Sequence, residues 1–290
     1  MGSAIAVTGA SGQIGGRVAR RLAEAGVAQR LIGRDPSRLP ELTDAVQAPP
    51  AAYGDGEAMR RAFEGAGTAL LVSAHEAADR VREHITAVDA AVAAGVERIV
   101  YISFQGAAPE ATFTFARDHW HTEQHLRASG LRFTFLRDSF YLAALPAMTG
   151  ADGVIRGPAG TGRVAAVAHD DIADVAAAVL LGEGHDGATY EVTGPEAITL
   201  GEAAEELSRF TGRVVTYEQE SREQAYASRA RYNAPDWEVA GWVTSYEAIA
   251  TGEVGQVSST VSRIAGHEPQ SLREYLVRNP DSYRHITGQG

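Results

Sequence analysis

The feature that most constrains the fold is a set of spaced glycines directly after a short apolar segment. Residues 4–16 read AIAVTGASGQIGG, with glycines at positions 9, 12 and 15 among them. This spacing predicts a β-strand, a tight turn and a helix start, the arrangement that binds the diphosphate of a dinucleotide. Gly9 suits the positive φ of the turn, Gly12 lets a phosphate approach bare backbone, and Gly15 lets the helix pack close to the strand.

The segment after this turn has the period of an amphipathic helix. Ile14, Val18 and Leu22 recur every four residues, and Gly26 is placed to end the helix. The first N–H groups of a helix have no intrahelical partner and carry a partial positive charge, which suits a phosphate group. The residues that we predict to hold the cofactor around this turn are Thr8, Gly9, Ser11, Gly12, Gln13, Ile14 and Gly15.

Composition excludes several classes of function. With 290 residues, of which 44% are hydrophobic, the chain can bury a full core. The net charge of −11 argues against nucleic acid or an anionic membrane as a partner, which leaves small molecules. The absence of cysteine excludes disulfides, thiolate catalysis and cysteine-ligated metals. Without a signal-peptide pattern or an apolar stretch of about 20 residues, a cytoplasmic protein is expected.

Apolar, β-rich runs recur along the chain and alternate with helical patterns. In the helical pattern of 80–94, Val81, Ile85, Val88 and Val92 fall on one stripe. Such alternation predicts an α/β fold, a doubly wound parallel sheet with helices on both faces, in which ligands bind at the carboxyl ends of the strands. The predicted strands are 4–8, 30–32, 68–72, 99–103, 133–136 and 190–193.

The end of the second strand determines which nicotinamide dinucleotide binds. An acidic residue there bonds the ribose hydroxyls of NAD, whereas an arginine meets the 2′-phosphate of NADP. The sequence reads RLIGRDPSR, and Arg34 lies 19 residues after Gly15. Arg34 and Arg38 favour NADP(H) over NAD(H), because guanidinium groups bind phosphate through paired hydrogen bonds. Asp35 is the complication, since a carboxylate that faced the cofactor would serve NADH.

The glycine content rises after about residue 145, and the chain beyond Pro195 has its own helical and strand patterns. We therefore expect two parts. A Rossmann core that binds NAD(P) covers 1–145 and is completed by 164–194. A smaller C-terminal α+β lobe, formed by 146–163 and 195–290, binds the substrate.

Several local features are predicted within these parts. Residues 146–163 are expected to form a hairpin or loop outside the main sheet. The helix 169–181 is expected to be capped by Asp170 or Asp171. Capping boxes predict two further helix starts, formed by Thr199 with Glu202 and by Ser221 with Gln224.

Seven segments together resemble the atypical branch of the short-chain dehydrogenase/reductase superfamily, which contains NmrA-like proteins and bacterial NAD(P)H:quinone oxidoreductases. The resemblance covers most of the chain. The segments are TGASGQIG (8–15), GRDPSRL (33–39), YGDGEAM (53–59), ERIVYIS (97–103), DHWHTEQHLRASGL (118–131), TFLRDSFY (134–141) and DDIADVAAAVL (170–180).

The resemblance implies further site residues. Asp55 is expected near the adenine, and Ser73, His75 and Ser103 are expected on the ribose and nicotinamide side. The residues expected to contact the substrate are Phe104, Phe140 and Tyr141. Pairing into a homodimer through an exposed sheet helix is common in this superfamily and is left open here.

The same resemblance locates a departure from the superfamily. Its usual tyrosine and lysine, one helical turn apart, correspond to His119 and Glu123 in this chain. We expect His119 to donate a proton, with Glu123 holding its tautomer and raising its pKa. The alternative is a surface histidine paired with a helix carboxylate. A quinone needs little acid help, so that its oxygen could take the proton from water or Tyr141 instead.

A metal site is the other interpretation of this stretch, because His119, His121, Glu123 and His125 lie within seven residues. The spacing HTEQH lacks the glutamate directly after the first histidine that a zinc protease helix requires, and we expect no metal.

Three functions fit these observations. The first is an NADPH-dependent oxidoreductase that transfers hydride to a quinone or a similar flat, conjugated carbonyl or imine substrate. The second is an NADP(H)-binding redox sensor of the NmrA type without turnover. The third is an isomerase or dehydratase that uses a tightly bound cofactor transiently. The fold alone does not decide among them.

Overall fold

The computed structural model describes residues 4–287, which form two compact units. The core unit contains the residues up to Pro109 together with Asp118–Asp138 and His169–Glu191. The second unit contains Glu110–Arg117, Ser139–Ala168 and the residues from Val192 onward.

The strands are, in chain order, β1 (Ala4–Val7), β2 (Gln29–Leu31), β3 (Ala45–Gln47), β4 (Ala66–Leu71), β5 (Arg98–Phe104), β6 (Arg132–Asp138), β7 (Val154–Gly157), β8 (Arg163–Val164), β9 (Thr189–Val192), β10 (Ile198–Thr199) and β11 (Thr216–Gln219). The α-helices are α1 (Gln13–Glu24), α2 (Gly56–Phe63), α3 (Arg80–Ala93), α4 (Thr114–Ala128), α5 (Ala144–Ala147), α6 (His169–Leu181), α7 (Leu200–Thr211), α8 (Arg222–Arg229), α9 (Asp236–Thr251) and α10 (Leu272–Arg278).

Seven strands form one parallel sheet in the order β3-β2-β1-β4-β5-β6-β9, which confirms the predicted doubly wound α/β fold. All seven residues of β5 are buried, as expected for a strand covered on both faces. The short edge strand β3 was not predicted, because its three residues are half-buried or exposed and show no apolar pattern. The order of the sheet reverses between β1 and β4, and ligands of such sheets bind outside the carboxyl ends at this switch point.

Helix α3 forms where the sequence predicts it, but its buried face is not the predicted one. Val92 is 43% exposed, and the side chains that point inward include Arg80 and His84 beside Ala87, Val88 and Ala91. This face carries two polar residues one turn apart, which a search for apolar periodicity cannot select. Each of these polar groups therefore needs a buried partner.

Helices α1 and α6 are joined by ion pairs. Arg17 and Arg21 bind the Asp170 carboxylate at 3.2 Å, and Arg21 also binds Asp174 at 2.5 Å. The predicted cap on α6 is corrected by this arrangement. The helix already begins at His169, so that Asp170 lies inside its first turn.

Residues 146–163 lie outside the main sheet, as predicted, but their strands belong to two small sheets and do not form a hairpin. Strand β7 pairs in parallel with β11, and β8 pairs antiparallel with β10, so that β7 and β8 do not pair with each other. The glycines of this segment allow close packing on α9. A Cβ on Gly157 would overlap the Tyr246 ring, and one on Gly162 would overlap the backbone of Ile249.

The boundary between the two units also differs from the prediction in detail. Residues 139–145 and 164–168, which were expected in the core, belong to the second unit. The backbone of these two segments is joined directly, since Leu142 N–H donates to Val167 O and Val167 N–H donates to Phe140 O, both at 2.9 Å.

Helix starts in the second unit follow the predicted caps. Thr199 with Glu202 and Ser221 with Gln224 both form complete capping boxes, which confirms these predictions. Within residues 4–287, no helix combines the length and the apolar character needed to cross a membrane.

Candidate functional site

The glycine turn after β1 has the geometry that its sequence predicts. Gly9 has a φ of +60°, and Gly12 N–H donates to Gly9 O at 2.8 Å. A Cβ on Gly15 would lie 2.6 Å from Thr8 O, so that only glycine allows α1 to approach β1 this closely. Ser11, Gly12 and Gln13 are exposed, whereas Ile14 and Gly15 are buried.

Helix α1 begins without a side-chain cap. Its N-cap residue is Gly12, no side chain bonds the first turn as a cap, and the first turn contains no acidic residue. The N–H groups at this end therefore face outward beside exposed residues. They suit an anionic group such as a diphosphate, and the glycine turn supplies the space for it.

The side chain of Thr8, which is among the predicted cofactor-binding residues, bonds neighbouring residues of the core unit. Its Oγ1 accepts the N–H of Val72 at 2.9 Å and bonds the Tyr53 hydroxyl, which also donates to Val72 O at 2.6 Å. Thr8 is fully buried. Its hydroxyl therefore joins the carboxyl ends of β1 and β4 and supports the turn from beneath.

The loop after β2 exposes two arginines, and it contains an aspartate, Asp35, that is hydrogen-bonded within the loop. Arg34 and Arg38 are exposed. The Asp35 carboxylate accepts Ser37 N–H at 3.0 Å and Ser37 Oγ–H at 2.7 Å, and these bonds lower the pKa of Asp35 below its usual value. Asp55 is engaged in the same way, because its Oδ1 accepts Ala58 N–H at 3.0 Å as the N-cap of α2.

The loop after β4 is anchored at Ser73 and Ala74. Ser73 Oγ donates to Ile102 O at 2.6 Å. Ala74 N–H donates to His84 Nε2 at 2.9 Å, and Ala74 O accepts Arg80 Nε–H at 3.0 Å. His75, in contrast, is exposed.

The predicted partnership of His119 with Glu123 is wrong. His119 is 6% exposed, with its Nδ1 at 3.0 Å from the Tyr101 hydroxyl and its Nε2 at 3.2 Å from Arg80 Nη2. Because a guanidinium only donates, Nε2 accepts and Nδ1–H donates to Tyr101. Burial, followed by the Arg80 charge, lowers the pKa of His119 well below its usual value. This imidazole is therefore neutral at neutral pH, and it is not the surface residue of the alternative interpretation.

Glu123 belongs to a separate network. It is fully buried and accepts two bonds from Arg137, from Nε at 2.8 Å and from Nη2 at 2.7 Å. Ser103 Oγ donates to the same carboxylate at 2.6 Å. The predicted catalytic role of Glu123 is corrected by this geometry, because its oxygens are used inside the core unit. The Ser103 hydroxyl hydrogen is likewise used, so that this hydroxyl can only accept a further bond.

The residues expected to contact substrate lie in both units. Phe104, in the core unit, is 7% exposed and lies 5.9 Å from the His119 ring. In the second unit, Phe140 lies 5.5 Å from the Phe113 ring, and Tyr141 forms a β-bridge with Val167. Phe140 and Tyr141 are both half-buried.

The side chains of the histidine-rich stretch have separate partners. His125 Nε2 lies 2.7 Å from an Asp89 oxygen, and the His121 ring lies against Trp120. Since Glu123 is bound to Arg137, these residues do not converge on one point.

Sequence reasoning missed the residues that brace this region. Each bonds a residue distant in the chain, as His84 bonds Thr122 38 positions later, and no spacing rule predicts such contacts. One signal was available, the polar i, i+4 pair of Arg80 and His84, which lies on a helix face that is otherwise apolar. The missed residues are Tyr53, Arg80, His84, Tyr101, Thr122 and Arg137.

Comparison with known proteins gives consistent matches. A family described as NAD(P)H-binding matches residues 9–183. The chain is 35% identical to (4-alkanoyl-5-oxo-2,5-dihydrofuran-3-yl)methyl phosphate reductase of Streptomyces griseus, covering 96% of this chain and 99% of the relative. It is 34% identical to quinone oxidoreductase 2 of Escherichia coli, covering 93% and 96%. The solved structure of an Escherichia coli NADPH-dependent quinone oxidoreductase with NADPH matches at 33% identity and a TM-score of 0.85, covering 94% and 99%.

Proposed function

We propose that this protein transfers hydride from NADPH to a quinone or a similar flat, conjugated carbonyl or imine compound. The chain belongs to the NAD(P)H-binding family, as an NmrA-like, quinone-reductase-type member of the atypical short-chain dehydrogenase/reductases. The chain is an NAD(P)H-dependent oxidoreductase. The observation that carries the proposal is the uncapped start of α1 behind a turn that only glycines can form. The quinone is proposed from the names of the relatives.

The glycine turn fits the diphosphate of the cofactor. Backbone N–H groups of Gln13, Ile14 and Gly15 are proposed to donate to the phosphate oxygens, aided by the partial positive charge of the α1 N-terminus. Ser11 and Gln13 are exposed beside these groups and are proposed as side-chain contacts.

NADPH is proposed over NADH on the basis of the loop after β2. Asp35 would favour NADH if its carboxylate faced a ribose, whereas its Oδ1 accepts both bonds from Ser37 and is used within the loop. The exposed Arg34 and Arg38 are left to meet a 2′-phosphate, for which a guanidinium is well suited.

When bound, the nicotinamide supplies the hydride. The chain's contribution is to orient the two rings and to exclude water, which is sufficient for a strong hydride acceptor. Because His119 is neutral and buried, we propose that the product oxygen takes its proton from water or from Tyr141. Asp55, Ser73, His75, Ser103, Phe104 and Phe140 remain proposed contacts on the strength of the family resemblance.

A redox sensor without turnover is the second candidate. The observation that favours it is that both residues at the positions of the usual tyrosine and lysine, His119 and Glu123, are bound inside the core unit. Equal affinity for oxidised and reduced cofactor, without turnover, would identify such a sensor.

The test is a screen of reduced-cofactor oxidation against quinones, enones, aldehydes and imines, run with both nicotinamides. We expect loss of the reduced nicotinamide absorbance with quinones, and faster loss with NADPH than with NADH. Binding of NADPH without oxidation across the whole panel would contradict the enzymatic proposal and leave the sensor.

A further inference from the structure

The loop between β4 and α3 starts at the switch point of the sheet. Its first residue, Val72, touches the glycine turn so closely that a Cβ on Gly9 would lie 3.3 Å from the Val72 Cβ. A change in the position of this loop would therefore displace the glycine turn that is proposed to bind the diphosphate. Both backbone polar groups of Ala74 in this loop are bonded to α3 side chains, His84 and Arg80.

His84 is fixed in one tautomer. Thr122 donates its hydroxyl hydrogen to Asp118 O at 2.8 Å, so that Thr122 Oγ1 can only accept from His84 Nδ1, which lies 2.9 Å away. Nε2 is then unprotonated and accepts from Ala74 N–H. The ring is fully buried, and this burial, with the Arg80 charge, lowers its pKa to about 3.

Arg80 is fixed from the other side. Its guanidinium is almost completely buried, with Nη2 at 3.2 Å from His119 Nε2 and Nη1 at 3.7 Å from an Asp118 oxygen. His119 in turn donates to Tyr101 of β5. Both residues that bond Ala74 are therefore braced by residues of α4, namely Thr122, Asp118 and His119.

We propose that His84 and Arg80 are positioning residues, which hold the loop of residues 72–79 in the conformation that accepts NAD(P)H. The proposal rests on the NAD(P)H-dependent function. A purely structural role would make the same contacts, but it would change stability without changing cofactor affinity. Leaving a buried amide or guanidinium without a partner carries a penalty, so that loss of either bond favours movement of the loop.

The first measurement needs no cofactor turnover. In the cofactor-free protein, a long-range ¹⁵N correlation of the His84 ring is expected to show the Nδ1–H tautomer, and hydrogen exchange is expected to show a protected Ala74 amide. An Nε2–H tautomer or an unprotected amide would overturn the proposal, since Ala74 would then lack the acceptor on which the argument depends.

The second measurement compares NADPH affinity by calorimetry. His84→Phe keeps the ring but removes both hydrogen bonds, and we expect it to speed exchange of the Ala74 amide and to raise the Kd for NADPH at least about tenfold, equivalent to about 1.4 kcal/mol. His84→Gln restores an acceptor toward Ala74 and is expected to recover part of the affinity. His125→Gln, which alters a histidine paired with Asp89 at the surface, is the matched control and is expected to bind as the wild type does.

Thr122→Val gives an independent test if His84→Phe does not fold. It removes the acceptor of Nδ1–H without touching the loop, so that the ring is held less firmly, exchange of the Ala74 amide should be faster and the Kd should rise. Wild-type binding with unchanged Kd in Thr122→Val and in the folded His84 variants would overturn the positioning role alone. Absence of wild-type binding would instead contradict the cofactor assignment itself.

Discussion

Arg137 binds Glu123 through two parallel hydrogen bonds, from Nε to Oε1 at 2.8 Å and from Nη2 to Oε2 at 2.7 Å. The Glu123 side chain is fully buried, so that its charge depends on this partner. Glu123→Gln should therefore lower the free energy of unfolding by about 3 kcal/mol, the range for breaking a buried ion pair. Urea denaturation measures this loss.

The control for this prediction is an exposed pair in the same unit, Arg132 with Glu97 at 3.2 Å. Glu97→Gln should change stability by less than about 1 kcal/mol, since solvent screens exposed pairs. Similar losses in Glu123→Gln and Glu97→Gln would contradict the structural role assigned to Glu123.

Acid should destabilise the fold through its buried histidines. Burial, followed by the Arg17 charge, lowers the pKa of His169 to about 4, and that of His84 is about 3. An unfolded histidine titrates near pH 6.5, so that between about pH 4 and 6.5 the unfolded chain binds protons that the folded chain does not. The free energy of unfolding should therefore decrease as the pH is lowered, by up to about 1.4 kcal/mol per pH unit for each such histidine.

Urea denaturation between about pH 5 and 7 tests this sign. His169→Gln should flatten the dependence, whereas His121→Gln, at an exposed position, should leave it unchanged. Glu191 acts in the opposite direction, because burial raises its pKa to about 7 and its folded form loses stability as pH rises. An unchanged slope in His169→Gln would refute the assignment of a neutral, half-buried imidazole.

Arg34→Ala should separate the two nicotinamide cofactors. Loss of a charge-assisted phosphate contact of about 1.5–3 kcal/mol should weaken NADPH about tenfold or more and leave NADH binding unchanged. Arg132→Ala, at the start of β6 and so at the amino edge of the sheet, is the control. Equal weakening of both cofactors by Arg34→Ala would refute the 2′-phosphate assignment.

His119→Phe should reduce stability more than turnover. It leaves the buried Arg80 Nη2 without its acceptor, and this loss should lower the free energy of unfolding by about 1–3 kcal/mol. General acids contribute about 10²–10⁴-fold to a rate, whereas we expect a decrease in kcat of less than about tenfold. Stopped-flow oxidation of NADPH by a quinone measures kcat, and a decrease within the range of a general acid would return His119 to the role of proton donor.

The sequence predicts those structural features that depend on residues close together in the chain. The turn at Gly9, the capping boxes at Thr199 and Ser221, and the alternation of strands and helices all depend on residues a few positions apart. The doubly wound sheet follows from that alternation, because parallel strands need crossover helices.

Contacts between distant residues account for the rest. His119 and Glu123 are one turn apart and look like a pair, yet each has a stronger partner supplied by another element, Arg80 on α3 and Arg137 on β6. Which partner each side chain bonds depends on which residues are buried beside it, and this is determined only when the sheet and its helices are assembled. The rotated face of α3 has the same cause, since buried partners compensate for its polar residues.

The most direct test of the central claim is NADPH binding by calorimetry to the wild type and to Gly12→Asp. Gly12 has a φ of −95°, which an aspartate can adopt, although its Cβ would lie 3.1 Å from Gly9 O. We predict that the wild type binds NADPH, and that Gly12→Asp remains folded but loses at least about tenfold in affinity, because its carboxylate repels the diphosphate. NADPH binding that is equally strong in Gly12→Asp, or absent from the wild type, would contradict the account.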